Sequence, residues 1–160
     1  MIEQTVVKET LLESAKEVFE TMIFMDVNTS CELAQKAENR TLLSSITFKG
    51  TYHGCLAIGC DTCCAQAITK NMLGIDTTEE LSKEDVYDAL GEIVNMVMGC
   101  VKRRLQDNFG DVQVSIPSVI RGDHLQSNLG LGATKTSIKV SIDDQYSAIL
   151  SLLYRRNLTR

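Results

Sequence analysis

The sequence predicts an α/β mixed (α+β) fold: an antiparallel-rich sheet with two long helices packed on one face. Three observations carry this. Residues 5–24 and 82–108 are long amphipathic stretches with apolar side chains at three- and four-residue spacing. Residues 40–48 and 51–59 read as a pair of strands, as do 134–142 and 146–154. The chain has 160 residues, 44% hydrophobic and 23% charged, which suits one domain with a real core over 1–160.

In the first helix, Val7, Leu11, Leu12, Ala15, Val18, Phe19 and Met22 repeat on one side with charges between them. Residues 25–39 have no clear period. RTLLSSITF over 40–48 and TYHGCLAIG over 51–59 follow, with Lys49-Gly50 expected to make the hairpin turn. Asp61 is placed to cap a helix over 62–73, and Gly74 to stop it. Ser82 and Asp85 resemble a capping box at the head of the long helix. A turn at Asn108–Asp111 leads to a strand-like segment over 112–121, interrupted by Pro117, the chain's one proline. Residues 122–133 read as a loop. In the next strand Thr136, Ile138, Val140 and Ile142 alternate with Lys135, Ser137, Lys139 and Ser141, and the first set is expected to face the core. Asp143-Asp144-Gln145 turns the chain into the last strand, and this terminal hairpin is expected to leave a sheet edge open to pairing.

A net charge of −5 argues against a nucleic-acid partner. No run of about 18 apolar residues is present, and MIEQTVVKET lacks the basic start and apolar core of a signal peptide. A soluble cytoplasmic protein is expected. Six cysteines in such a compartment are most simply reduced and buried. Cys60-Asp-Thr-Cys63 is a formal C-x-x-C at a strand-to-helix junction, where a helix N-terminus can lower a thiol pKa, so a thiol switch is a minor expectation. The single pair, with His53 and His124 elsewhere, does not make a zinc motif.

The chemistry concentrates on the long helix. With Asp88 as zero, Asn95 falls at about −20°, Gly99 at about +20° and Glu92 at about +40° around the axis. Lys102 and Gln106 continue this row, while Val86, Leu90, Ile93, Val97 and Val101 form an apolar stripe opposite. A carboxylate can pair with a cation or act as a base, and a carboxamide can donate and accept together and so orient a water. Gly99 removes bulk from the row. Met96 and Met98, at about +80° and −80°, flank it with adaptable side chains. Such a row also describes a plain solvated helix face.

This helix and the segment after it resemble the CheC/CheX family of chemotaxis phosphatases, which carry an Asp or Ser, a Glu four residues on, an Asn three further, and a Pro some twenty-odd residues later. Here these are Asp88, Glu92, Asn95 and Pro117, within LGEIVNMVMG and SIPSVI. Residues 10–23 resemble the family's first helix, and the likeness runs from about Val7 to Leu153. Twenty-one residues separate Asn95 from Pro117, one fewer than the family spacing. Some CheC-type members carry a second Glu-x-x-Asn on the first helix. Here Glu13, Glu17 and Glu20 are followed three residues later by Lys16, Glu20 and Ile23, so the chain resembles the single-site CheX type.

The resemblance implies hydrolysis of the aspartyl phosphate of a CheY-type response regulator. Asn95 would hold the attacking water, and Glu92 would pair with the regulator's active-site lysine. Asp88, Met96, Met98, Gly99, Lys102, Pro117 and Ser118 would form the docking rim. Mg²⁺ would come with the regulator, this chain having no cofactor or metal of its own, and a homodimer through sheet edges is implied. The alternative is a chemotaxis or flagellar-switch module that binds a regulator without hydrolysing its phosphate.

Overall fold

A computed structural model describes residues 2–29, 41–75, 80–122 and 132–157. Helix α1 spans Gln4–Val18 and ends in a π-helical turn, Phe19–Ile23. A short strand, β1 (Val27–Thr29), follows in the stretch where the sequence shows no period. Strands β2 (Leu42–Gly50) and β3 (Tyr52–Cys60) pair about Thr51, not about the expected Lys49-Gly50. The reason is a third strand. Lys49 and Gly50 stay extended to pair with Gln113 and Val112, and a Cβ on Gly50 would sit 2.6 Å from the Asp111 carbonyl oxygen.

Helix α2 (Thr62–Leu73) starts where Asp61 Oδ1 accepts from the Cys64 N–H at 2.8 Å, and it stops at Gly74, with φ 67°. Helix α3 (Lys83–Arg104) opens with the capping box: the Asp85 N–H donates to Ser82 Oγ at 3.1 Å, and the Ser82 N–H to Asp85 Oδ2 at 3.3 Å. It is shorter than the expected 82–108 stretch. The chain breaks at Leu105 into a one-turn α4 (Gln106–Phe109), which drops Phe109 into the core against Phe48 and Tyr52, with ring centroids 5.5 and 5.1 Å apart. Pro117 splits the next segment into β4 (Val112–Val114) and β5 (Ser118–Arg121). Strands β6 (Thr134–Ile142) and β7 (Tyr146–Arg156) close the chain as a hairpin.

The seven strands form one antiparallel sheet, in order β1-β6-β7-β3-β2, with β4 and β5 sharing the far edge of β2. The terminal hairpin is therefore interior: β7 lies between β6 and β3, and β1 covers β6. The edges of the described sheet are β1 and the β4–β5 pair. Alternate residues of one sheet face, among them Ile46, Phe48, Leu56, Ile58, Leu150 and Leu152, join the apolar sides of α1, α2 and α3 in a single core. α1 lies over β6 and β7, α3 over β2, β3 and β5, and the two helices pack on each other. As predicted, Thr136, Val140 and Ile142 are buried and Lys135, Ser137 and Lys139 are exposed, but Ser141, expected on the outer face, is fully buried, and Ile138 is only half-buried.

Candidate functional site on helix α3

Helix α3 buries Val86, Ala89, Leu90, Ile93, Val94, Val97, Met98 and Val101. That leaves a narrow exposed strip holding Asp88, Glu92, Asn95 and Gly99, with Met96 and Lys102 partly exposed at its sides. The four expected positions of the row thus reach solvent on one face of one rigid helix. Glu92 and Asn95, one turn apart, project together from it. A Cβ built on Gly99 would meet nothing within 4 Å, so that point of the strip is open to an approaching surface.

One expected rim residue is not there. Met98 is 1% exposed and belongs to the core. Its place at about −80° lies on the same flank of α3 as Gly91, at about −60°, and that flank faces Pro117 and Val119 at the sheet. Met96, on the opposite flank, remains partly accessible.

Pro117 bounds the strip on the sheet side. Its ring lies over Gly91, the residue before Glu92: a Cβ on Gly91 would stand 3.7 Å from Pro117 Cγ and 3.9 Å from Val119 Cγ2. The link carrying Pro117 is fixed to β2. The Ser115 N–H donates to the Thr47 carbonyl at 2.9 Å, the Thr47 N–H donates back to Ser115 Oγ at 3.0 Å, and Ser115 Oγ donates to the Ile116 carbonyl at 3.1 Å. Ser118 is exposed and opposite Ser45, at the start of β5. Pro117 therefore stands beside the helix where the row begins, whereas Ser118, paired with Ser45 and adjacent to the helix-facing Val119, belongs to the other face of the sheet and leaves the expected rim.

The other side is bounded by the end of α1. A shallow groove there is lined by Val18, Met22, Met96, Gly99, Cys100 and Arg103. Glu17 ties the two helices together: Cys100 Sγ–H and Arg103 Nη2 both donate to Glu17 Oε2, each at 2.7 Å. These hydrogen bonds, from Cys100 first and then Arg103, hold the Glu17 carboxyl below its ordinary range. Burial first, and the bond to Glu17 second, push the Cys100 thiol up. No sequence spacing signals this cluster, since its members lie 83 and 86 residues apart.

The two cysteines of the formal C-x-x-C differ in exposure. Cys60 is buried at the end of β3, and Cys63 is exposed in the first turn of α2. The thiol facing Cys60 is Cys64, whose pKa is pushed well up by that hydrogen bond and by burial. The described cysteines are free thiols. Among the described residues, no group of three or more His, Cys, Asp or Glu side chains is placed to hold a metal, and no helix is long and apolar enough to cross a membrane. His124 and Cys31 lie outside the described residues.

No curated protein sequence matches the chain. Solved structures do. Chemotaxis protein CheX from Vibrio vulnificus is 23% identical, with 97% of this chain and 100% of that one covered and a TM-score of 0.78. Chemotaxis protein CheX from Desulfovibrio desulfuricans is 20% identical, with 92% and 97% covered and a TM-score of 0.74. A CheX–CheY–BeF3–Mg²⁺ complex from Borrelia burgdorferi contains a chain 16% identical to this one, with 93% and 97% covered and a TM-score of 0.69. At these identities the likeness is one of fold. The family model for the chemotaxis phosphatase CheX matches residues 42–141, a stretch running from β2 to β6 and including all of α3 and Pro117, and the chain belongs to that family.

Proposed function

We propose that this protein hydrolyses the aspartyl phosphate of a CheY-type response regulator by presenting Glu92 and Asn95 to the regulator's active site. The observation that carries the proposal is the exposure of these two side chains together, one turn apart, on a helix whose opposite side is buried in the core and whose head is capped. Phosphoryl transfer to water needs an in-line nucleophile, with charge stabilisation around the phosphoryl group. The regulator supplies the acyl phosphate, its lysine and the Mg²⁺ that supports the phosphoryl charge. The Asn95 carboxamide accepts from and donates to the attacking water, and fixes it on the line of attack. The Glu92 carboxylate pairs with the regulator's lysine and sets the docking angle. Asp88, Met96, Gly99, Lys102 and Pro117 frame the contact. The complex of a CheX with CheY, BeF3 and Mg²⁺ from Borrelia burgdorferi supports this choice of partner and of metal source. A homodimer through sheet edges, as the family resemblance implies, would use β1 or the β4–β5 side, since β7 is interior.

The test is a phosphate-release time course with the response regulators of the same cell, comparing wild type with Asn95→Ala and Glu92→Ala. Asn95→Ala is expected to lose at least about a hundredfold in turnover, in line with the cost of misplacing a reacting group, while keeping most of its binding. Glu92→Ala is expected to lose binding as well. A wild type that binds the phosphorylated regulator and leaves its lifetime unchanged at stoichiometric concentration is a docking module instead.

A further inference from the structure

The most exposed large apolar side chain among the described residues is Ile116, at 89%. It stands next to Pro117, whose ring covers Gly91 at the head of the Glu92–Asn95 strip. Isolated surface apolar residues need no explanation, but this one differs in two ways. It adjoins the candidate site. It also sits on backbone held in place from both sides: Ser115 is bonded twice to Thr47, Ser115 Oγ holds the Ile116 carbonyl, and Ser118 enters β5 opposite Ser45. The fixed φ of Pro117 removes further freedom. An apolar side chain on such a support loses little conformational entropy when a partner covers it.

Resting on the phosphatase reading above, we propose that Ile116 is an apolar anchor for the receiver domain of the phosphorylated regulator, seated in an apolar recess beside that domain's phosphoacceptor pocket. The occupant is argued from continuity and charge. Ile116 directly precedes Pro117, whose ring touches Gly91 one residue before Glu92, so a body docked over Glu92 and Asn95 has this link at its edge. Along the strip the charges run from Asp88 and Glu92 to Lys102, so the regulator's active-site lysine would sit at the acidic end. On the far flank the exposed Met22 borders the Met96–Gly99 groove and gives the same body a second apolar wall. Charged pairs at the strip then set register, and Ile116 supplies burial, in keeping with interfaces where a few residues carry most of the affinity.

The experiment uses the full-length protein and the regulator, in two forms: beryllofluoride-loaded for binding, and phosphorylated for turnover. Ile116→Ser is expected to raise the Kd for the beryllofluoride form and the KM for the phosphorylated form about tenfold, the size of a moderate hot spot, with kcat within about twofold of wild type. Ile116→Leu is expected to restore both. Thermal melts are expected to be unchanged, because the side chain packs on nothing in the isolated protein. An unchanged Kd and KM in Ile116→Ser, with a wild type that hydrolyses normally, overturns the anchor and leaves the phosphatase reading standing. A wild type that binds but does not hydrolyse overturns the phosphatase reading, and the Kd comparison still decides the anchor. A wild type that binds no regulator overturns both.

Discussion

Pro117 lies across Gly91, close enough that an alanine at 91 would touch it at ordinary van der Waals distance: 3.7 Å to Cγ and 3.8 Å to Cβ. Gly91 is in the interior of α3, where glycine costs about 1 kcal/mol relative to alanine. Gly91→Ala is therefore expected to raise stability by about that amount, or about 2–4 °C in Tm for a chain of this size, with turnover unchanged. A large side chain has no such room. Gly91→Phe is expected to lift Pro117 off the helix and weaken docking in a protein that still folds. Calorimetry and phosphate-release kinetics on the two variants check both halves.

Gly99 offers the complementary case. It is also inside α3, and a Cβ there would meet nothing within 4 Å. Gly99→Ala is expected to stabilise the isolated protein by about 1 kcal/mol, as at position 91. Its effect on binding is expected to differ, because in the proposed docking the regulator approaches over this empty space. Gly99→Ala is expected to weaken regulator binding several-fold, and Gly99→Leu to abolish it, by titration against the beryllofluoride-loaded regulator. Equal gains in Tm with unequal losses in affinity mark Gly99, and not Gly91, as part of the contact.

How far the sequence discloses this arrangement depends on how local its causes are. Helix α2 is legible to the residue, because Asp61 and Gly74 act on the backbone beside them. The capping box of Ser82 and Asp85 is legible for the same reason. The strip of Asp88, Glu92, Asn95 and Gly99 follows from helical period alone. What distant strands decide is not legible. The hairpin turn moves to Thr51 because β4 extends β2, and the terminal hairpin becomes interior because β1 and β3 flank it. The end of α3 shifts for a similar reason: it stops at Leu105, and Phe109 reaches Phe48 and Tyr52. Ile116 carries a faint signal, an apolar residue ahead of a strand-breaking proline, which has meaning only once its exposure is seen.

Met98 is where helical period misleads. Its angle places it beside the polar row, yet it shares the sheet-facing flank of Gly91 and is 1% exposed. Met98→Ala is expected to cost about 2–5 kcal/mol through lost contacts and the cavity left behind, with KM unchanged at temperatures where the variant remains folded. Met96→Ala, on the accessible flank, is expected to change stability by less than about 1 kcal/mol and to raise KM. Denaturant unfolding and kinetics on the two variants separate core from rim.

The thiols are expected to react in an order set by access. Cys63 is exposed, Cys100 is partly covered and hydrogen-bonded to Glu17, and Cys60 and Cys64 are buried. Only the thiolate reacts, and the Cys64 and Cys100 thiols are both pushed up. Timed alkylation of the native protein near pH 7.5, followed by peptide mass spectrometry, is expected to label Cys63 first and Cys64 only on unfolding. Recovery of a Cys60–Cys63 disulfide from natively extracted protein would instead give that pair a redox role.

Glu17 joins α1 to α3 and should make stability depend on pH. Hydrogen bonds from Cys100 and Arg103 hold its carboxyl below the ordinary 4.5, so the unfolded chain takes up a proton at Glu17 more readily than the folded one. The contribution of the cluster is then fully present above about pH 4.5 and is lost as pH falls through the lower folded value. Glu17→Gln removes this dependence. The Tm difference between wild type and Glu17→Gln is expected to be flat from about pH 5 to 8 and to shrink below about pH 4.5, because Glu17 is then protonated in the wild type too. Salt should reduce the difference, since Arg103 is 63% exposed at its side chain. A melting series across pH 3–8 at low and high salt reads both effects, and a gap that stays constant down to pH 3 would show that Glu17 acts by packing and not by charge.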